Sequence, residues 1–330
     1  MKTTSRTAFI LTELARMLLL LVLVSIVAFL LITHAPIDPL DSYVGTESTL
    51  SQEARQEIAE YWGLNDPLPQ RFATWVNHGL HVDLGQSISF KRPVGQVITE
   101  RFSYSIVLML IAWTLSGIFG FLLGVFCGRH QDSLIDRILK VFSLALKSAP
   151  TFWLGLLILT VFAIQLGWFP IGMAAPIGKV TGDVSLADRA YHIVLPALTL
   201  TLVSMSDALL YTRQKYIETH GEDFIQYARA RGESEGQLTR RHILRNIALP
   251  AITVQFASFS ELFGGMALAE NVFSYPGIGT ATTAAAMNAD VPLLLGIALF
   301  SAIFVFVGNF IANILYGVVD PRMKEVGSHG

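Results

Sequence analysis

Long runs of apolar residues decide what this chain of 330 residues can fold into. A helix crosses the hydrocarbon core of a bilayer with about 20 mostly apolar residues, because each residue advances it by about 1.5 Å. The clearest run, residues 17–32, carries no charged side chain. The runs that meet the length requirement are residues 8–32, 102–127, 138–169, 191–211, 247–273 and 291–319.

The composition points to the same class of protein. Charged residues make up 15% of the chain, whereas soluble domains carry roughly 25%. The sequence therefore predicts an all-α, polytopic membrane protein with six transmembrane helices. The formal net charge is −2, so no basic excess indicates a nucleic-acid partner, and none is expected.

The apolar runs divide the chain into predicted parts. These are an N-terminal tail with the first transmembrane helix (1–33), a polar outer cap (34–103), a transmembrane core (104–320) with a long loop (213–246), and a tail (321–330). Pro67 and Pro69 break the cap near its middle, and Pro150 interrupts the third run. The first run could be a cleaved signal peptide, but it is long for one and residues 34–36 are a poor cleavage site, so we expect it to remain.

The distribution of charges predicts the orientation of the chain in the membrane. Residues 213–245 carry seven Lys and Arg side chains, whereas residues 271–290 carry none. Residues 34–103 contain nine acids and five bases. Because basic loops remain in the cytoplasm, we expect both termini and the arginine-rich loops inside, with the acidic cap outside.

The loop 213–246 carries the most informative local pattern. Thr219 to Glu222 and Ser234 to Gln237 each match the capping box that begins a helix. Gly232 matches the glycine that commonly follows the end of a helix. These signals predict a short helix between residues 223 and 231.

The predicted short helix has a distinctive surface. Phe224 and Ala228 are four residues apart and therefore share a helix face, and the small Ala228, Ala230 and Gly232 would let a partner approach closely. Arginines stand beside this face. Two interpretations stay open: a docking element for another protein, or a helix that lies at the membrane surface with its arginines at lipid headgroups.

Segments along nearly the whole chain resemble the peptide/opine/nickel permeases of binding-protein-dependent ABC importers. In chain order they are APIDP (35–39), WGLNDPL (62–68), DLGQS (83–87), PTFWLG (150–155), ARARG (228–232), RHILRN (241–246), ENVFSYPGIG (270–279) and VDPR (319–322). The segments 240–246 and 261–265 resemble nickel permeases somewhat more than peptide permeases. The chain departs from the family pattern at Gln226 and Tyr227, where the general motif has Glu-Ala, and at Ile37, where it has glycine.

The resemblance implies a multi-pass permease subunit in the bacterial cytoplasmic (inner) membrane, importing peptide, nickel or a metal–chelator complex. The implied partners are a sister permease in a heterodimer, two ATP-binding cassette ATPases, an extracytoplasmic substrate-binding protein and membrane lipid. The residues implied to couple the permease to an ATPase are Asp223, Phe224, Tyr227, Ala228, Arg229, Ala230, Arg231 and Gly232. No phosphate-binding loop is found in the chain, so we expect a transport subunit without a cofactor, and hydrolysis by the partners.

Two acidic residues, Asp207 and Glu261, fall within apolar runs. A carboxylate at membrane depth costs about 2.5–3.5 kcal/mol on insertion scales, so both should face the protein interior or a wet path. They are either buried acids with local hydrogen bonds or part of a translocation pathway. Alternative functions are a secondary transporter, although no clear internal repeat is found, and an intramembrane enzyme whose two acids share a proton.

Two further patterns have a structural and a functional interpretation. Gly120, Gly124 and Gly128 form a groove on one helix face, either for packing within this subunit or for a seam with the sister permease. His78 and His81 have a spacing that metal ligands can adopt, but no cysteine accompanies them. We assign the two histidines to the end of an amphipathic helix in the cap and predict no metal site.

Overall fold

The computed structural model describes residues 6–34, 51–61, 64–81, 83–176, 178 and 184–319, and these are overwhelmingly helical. The helices are α1 (Arg6–Thr33), α2 (Gln52–Tyr61), α3 (Leu68–Leu80), α4 (Val94–Arg129), α5 (Leu134–Ser148), α6 (Thr151–Ile158), α7 (Leu186–His220), α8 (Asp223–Ala230), α9 (Glu235–Leu238), α10 (Leu244–Ala257), α11 (Phe259–Val272), α12 (Ile278–Met287) and α13 (Val291–Val319). Two π-helical segments, Leu159–Gln165 and Thr239–Ile243, continue α6 and α9. The strands β1 (Gln86–Ser87) and β2 (Arg92–Pro93) form a short antiparallel pair. The all-α prediction is confirmed.

Four helices of the described chain are long and apolar enough to cross a membrane, and the number rises to six if each of two bent helix pairs is one span. The four are α1, α4, α7 and α13. The third predicted run corresponds to α5 and α6 with its π-helical continuation, between which the chain bends by 112°. The fifth corresponds to the chain from α9 to α11, which bends by 48°. Pro150 accounts for the sharper bend, because proline forces the preceding Ala149 into an extended conformation and ends the helix there.

The helix boundaries differ from the predicted runs and loops in several places. Helix α4 begins at Val94, inside the stretch 34–103 that was expected to form the cap. The stretch 271–290, expected to be a loop, contains α12, an alanine-rich helix of 10 residues. A search for runs of membrane-crossing length does not detect so short a helix. The sixth run, 291–319, has the bounds of α13.

The described residues fall into two compact units, those within the ranges Met1–Tyr104 and Pro276–Val307, and those within the ranges Ser105–Tyr275 and Gly308–Gly330. In the first unit, the ring of Phe29 on α1 lies 5.2 Å from that of Phe72 and 5.8 Å from that of Trp75, both on α3. These ring contacts anchor the cap helix α3 on α1.

A second cluster of the first unit joins the start of α4 to α12 and α13. Its buried members are Val94, Val97, Ile98, Ile278, Ala281, Ala285, Leu293 and Ile297.

A hydrogen-bonded carboxylate fastens the β-hairpin of the first unit to the start of α13. Asp290 is fully buried and accepts hydrogen bonds from Ser87 Oγ at 2.5 Å and Ser89 N at 2.9 Å. Its other oxygen accepts from Leu293 N at 3.2 Å, which satisfies one of the free amides at the helix start. A buried carboxylate is stable here because each oxygen has donors.

The second unit is built on a close contact between α4 and α7. A Cβ added to Gly120 would lie 2.5 Å from the Ala208 Cβ, and one added to Gly124 would lie 2.6 Å from the Thr212 Cβ. At Gly128 the nearest atom would be the Tyr216 Cβ at 2.6 Å. The glycine groove is therefore filled by α7 of the same chain, which confirms packing within the subunit.

The glycine contact predicts a localised loss of stability. Gly124→Ala should lower stability by about 1–3 kcal/mol, because its Cβ would overlap the Leu209 carbonyl and Thr212. The control is Gly95→Ala on the same helix, where an added Cβ meets no atom within 4 Å. Thermal unfolding of both variants in detergent measures the difference, and equal melting temperatures would contradict the packing argument.

Candidate functional site

The short helix predicted in the loop 213–246 is present as α8, and its end has the geometry of a Schellman motif. Gly232 has a φ of +87°, a backbone conformation that favours glycine. Glu233 N donates to the Ala228 carbonyl at 3.3 Å, and Gly232 N donates to the Arg229 carbonyl at 2.9 Å. The prediction that Gly232 ends this helix is confirmed.

Of the two predicted capping boxes, one is present. Ser234 caps α9, and its backbone N donates to Gln237 Oε1 at 2.9 Å. The box at Thr219 was wrong, because α7 continues through His220 and α8 begins after Glu222 without a side-chain cap. Helix α7 therefore reaches nine residues beyond the predicted end of the fourth run at 211.

The two faces of α8 have different surroundings. Ile225 and Ala228 are buried and pack with Tyr216, Leu238, Ile243 and Ile247. Phe224 and Tyr227 are exposed by 44% and 67%. The sequence analysis had placed Ala228 on a surface that a partner could approach. That expectation was wrong, because Ala228 lies inside this cluster. Of the other predicted coupling residues, Arg229 is partly buried, and the exposed ones are Asp223, Ala230, Arg231 and Gly232.

A polar network holds α8 against the segments on either side of it. Arg229 Nε donates to Glu235 Oε1 at 2.9 Å, and its Nη1 donates to Gln226 Oε1 at 2.7 Å. His220 Nε2 lies 3.0 Å from Glu235 Oε2 and 2.9 Å from Arg229 Nη2. Arg229, expected to meet an ATPase, is thus engaged within the loop, whereas Arg231 lies near the exposed Tyr227 ring.

A buried ion pair that the sequence did not reveal joins α5 to α7. Arg213 Nε and Nη2 donate to the two carboxylate oxygens of Asp136, both at 2.6 Å. The Asp136 side chain is 1% exposed and that of Arg213 is 12% exposed. The paired residues are 77 positions apart, so no local pattern connects them. A bidentate ion pair of this kind fixes both the distance and the relative orientation of the two side chains, and so restrains α5 against α7.

The two acids expected at membrane depth have different surroundings. Asp207 on α7 accepts an ion-paired hydrogen bond from Lys147 Nζ on α5, a lysine that the sequence analysis had not singled out. Glu261 on α11 is exposed. Asp207 therefore has a charged partner within this subunit.

The two cap histidines, His78 and His81, make hydrogen bonds at the end of α3 in the first unit. The Tyr61 hydroxyl donates to Asp83 Oδ2 at 2.7 Å, and His78 Nδ1 lies 3.3 Å from the same oxygen. Burial raises the pKa of Asp83, but the hydrogen bonds from Tyr61 and the Gly85 amide and the nearby His78 lower it by more. His81 Nδ1 bonds the Asn77 carbonyl at the end of α3. Within the described ranges, no group of three His, Cys, Asp or Glu could hold a metal ion.

Comparison with known proteins decides the family. The profile of the family "binding-protein-dependent transport system inner membrane component" matches residues 120–325, and the profile of its N-terminal part matches residues 6–109. The chain belongs to this family. It is therefore a permease subunit, a transport component and not an enzyme, and it is a multi-pass protein of the inner membrane. Family membership implies partners that hydrolyse ATP and a partner that binds the substrate.

Curated relatives cover nearly the whole permease. The oligopeptide transport system permease protein AppB of Bacillus subtilis is 32% identical over 91% of this chain and 94% of its own length. A putative peptide transport system permease protein of Brucella abortus is 34% identical over 96% of this chain and 99% of its own length. A probable peptide ABC transporter permease protein of Sinorhizobium fredii is 32% identical with the same coverage. These names do not support the expected closeness to nickel permeases.

Several motif residues lie outside the described part of the permease. They are the segment 35–39, Trp62 and Gly63 of the cap motif, residues 320–322 of the closing motif, and the predicted tail 321–330.

The buried ion pair predicts a large effect from a small substitution. Asp136→Asn keeps the shape of the side chain but leaves the buried Arg213 charge unpaired, so stability should fall by about 3–5 kcal/mol. Glu218→Gln is the control, because it removes an acid from an exposed pair with Lys215 and should have little effect. Thermal unfolding in detergent distinguishes them. A matching small change in both variants would mean that the buried pair is dispensable.

Proposed function

We propose that this permease subunit carries peptides into the cell. The observation that carries the proposal is the set of relatives, at 32–34% identity over almost full length, whose names refer to peptide or oligopeptide transport. Nickel and metal–chelator complexes are less well supported, because none of these names refers to a metal. An importer receives its cargo from a binding protein, so the permease has to pass a class of molecules and not a single one.

The subunit works in a larger assembly. A sister permease completes a heterodimer within the lipid bilayer, and two ATP-binding cassette ATPases bind from the cytoplasm. A substrate-binding protein docks on the cap at residues 34–103. The core 104–320 forms half of the path, and both termini, including the tail 321–330, lie in the cytoplasm because the arginine-rich loop 213–246 does.

Helix α8 is the element that couples this subunit to an ATPase. Its exposed face presents Phe224, Tyr227 and Arg231, which combine aromatic area with a positive charge. Aromatic and arginine side chains are the ones that most often dominate protein interfaces. The opposite face is fixed to the permease by Ile225 and Ala228, so movement of α8 would be transmitted to the spans as a rigid displacement.

The alternative functions have less support. An intramembrane acid pair needs two carboxylates that share a proton, whereas Asp207 is ion-paired with Lys147. Membership of a binding-protein-dependent family argues against a secondary transporter.

The assembly is tested by purification through a tag on this chain. We expect a sister permease and two ATPases to copurify, and the complex to hydrolyse ATP faster when a peptide-loaded binding protein is added. In proteoliposomes it should take up labelled tripeptides but not labelled nickel. Recovery of this chain alone, in a form that transports by itself, would contradict the proposal.

The coupling role is tested by truncating the exposed face of α8. The double variant Phe224→Ala, Tyr227→Ala should release the ATPase or reduce stimulated hydrolysis at least about tenfold, because aromatic anchors at interfaces contribute 2 kcal/mol or more. Its melting temperature in isolation should stay unchanged, since both side chains are exposed.

The control for this experiment is Leu186→Ala. Leu186 is 85% exposed at the start of α7, about 52 Å along a helix of 35 residues from the end that leads into α8. The control should retain ATPase binding. Full coupling in the double variant would reject α8 as the contact.

A further inference from the structure

The fifth predicted span breaks at Ser258, between α10 and α11, and the chain bends there by 48°. Ser258 has a ψ of −5°, whereas a residue inside an α-helix has a ψ of about −42°. The proline of α10, Pro250, lies two turns before this point and does not account for the bend. Contacts with neighbouring helices therefore have to hold it.

An indole from α4 satisfies the carbonyl group that precedes the bend. Trp113 Nε1 donates to the Gln255 carbonyl oxygen at 2.9 Å, and the Ser258 hydroxyl donates to the same oxygen at 2.9 Å. A carbonyl oxygen has two lone pairs, so these side-chain donors are sufficient for it. A break inside a span needs such donors, because lipid offers no hydrogen bond to backbone groups that leave the regular helix.

The contact between Trp113 and Gln255 is reciprocal. Gln255 Nε2 donates to the Trp113 carbonyl at 2.7 Å and to Ser116 Oγ at 3.1 Å. Gly117 makes room for this amide, since a Cβ added there would lie 3.0 Å from Gln255 Cδ. Gln255 and Ser116 are buried, so water does not compete for the bonds, which are stronger than they would be at the surface.

The Trp113 ring also contacts residues on both sides of the break. Its centroid lies 4.9 Å from that of Phe256 on α10 and 6.3 Å from that of Phe259 on α11, and both pairs are edge-to-face. Aromatic rings attract each other in this arrangement. A change in the angle between α10 and α11 would disturb at least one of the two contacts, so the indole stabilises the bend angle itself.

The two halves of the span are attached to different helices. The end of α10 is bonded to α4 by the reciprocal contact. At the start of α11, Ser260 Oγ donates to Asn309 Oδ1 on α13 at 2.5 Å, and a Cβ added to Gly308 of α13 would lie 2.9 Å from Phe259 Cδ1. Near the other end of α10, Ile247 packs against α8. A displacement of α8 would therefore pass along α10 to the break.

We propose that the break at Ser258 is the hinge of the fifth span during transport, and that Trp113 is the positioning residue that holds it in a bent, resting form. The proposal rests on the proposed function of an ATP-driven importer. When α8 moves with the ATPase, the span straightens and the bonds between Trp113 and Gln255 are given up. The strength of this contact therefore sets how often the resting permease reaches the form that stimulates hydrolysis.

The first test removes the indole N–H and keeps an aromatic ring. Trp113→Phe should raise ATP hydrolysis without binding protein about fivefold, the effect of one hydrogen bond on an equilibrium. Hydrolysis with peptide-loaded binding protein should stay close to the wild-type rate. Gln255→Met removes the reciprocal donor at similar side-chain length and should act in the same direction. Both rates are measured on the full complex in proteoliposomes and expressed per assembled complex.

The control is Trp168→Phe, which makes the same chemical change in a ring that is 59% exposed and lies outside the helices. This variant should leave both rates unchanged. A side chain that only supports the fold would lower both rates or the yield of complex when truncated. It would not raise the rate of unstimulated hydrolysis, which is the signature of a shifted resting state.

A distance measurement follows the hinge in otherwise wild-type complex. Spin labels are attached through Leu249→Cys on α10 and Leu268→Cys on α11, at positions that are exposed in this chain, whereas the native Cys127 is buried. At about 1.5 Å per residue, straightening the 48° bend lengthens the line between the two positions by about 2–3 Å. Electron–electron resonance should show this increase when binding protein, peptide, ATP and vanadate are added. Adding Trp113→Phe should populate the longer distance without them.

Each outcome has a defined meaning. A raised unstimulated rate together with the longer distance supports the hinge. A distance that stays constant through the cycle overturns it, as do rates in Trp113→Phe that are unchanged or lowered together. If Trp113→Phe does not assemble, Gln255→Met and the wild-type distance decide. If the wild-type complex is not stimulated by its binding protein, the proposed function fails and the hinge fails with it, whereas stimulated wild type with a constant distance rejects the hinge alone.

Discussion

The close contact between α4 and α7 is the packing on which the second unit depends. Gly120, Gly124 and Gly128 remove side chains from one stripe of α4, and atoms of α7 occupy the space. Apolar surface gains little from burial in a bilayer, so helices there associate through close van der Waals contact and hydrogen bonds. Because α7 also carries Asp207 and Arg213 and leads into α8, its position determines where both ion pairs and α8 lie.

The broken helices explain how charged groups can lie within apolar runs. An unbroken span offers a charge no backbone partner, because its amides and carbonyls bond one another. The bends after Ser148 and at Ser258 create helix ends within the predicted spans, and Lys147 and Glu261 lie at the ends that suit their charges. In many secondary transporters, interrupted helices line the region through which a polar cargo passes.

Helix α8, which we propose couples this subunit to an ATPase, combines a fixed face with a free one. Ile225 and Ala228 tie α8 to the end of α7 and to the segment before α10, and Arg229 reinforces this through Glu235. Phe224 and Tyr227 remain exposed. An element that is rigid towards its own subunit and open towards a partner can transmit a displacement in either direction, as ATP-driven import requires.

The sequence by itself determined the helical class, the bounds of α13, the end of α8 at Gly232 and the cap at Ser234. These depend on signals within a few residues or on the requirement that lipid-exposed backbone bond internally. Only the tertiary structure decided which face of α8 is buried, that α7 fills the glycine stripe, and that Asp136 and Asp207 have cationic partners 77 and 60 residues away. Such pairings depend on how helices pack, and no local periodicity encodes the distance between two helices that are far apart in sequence.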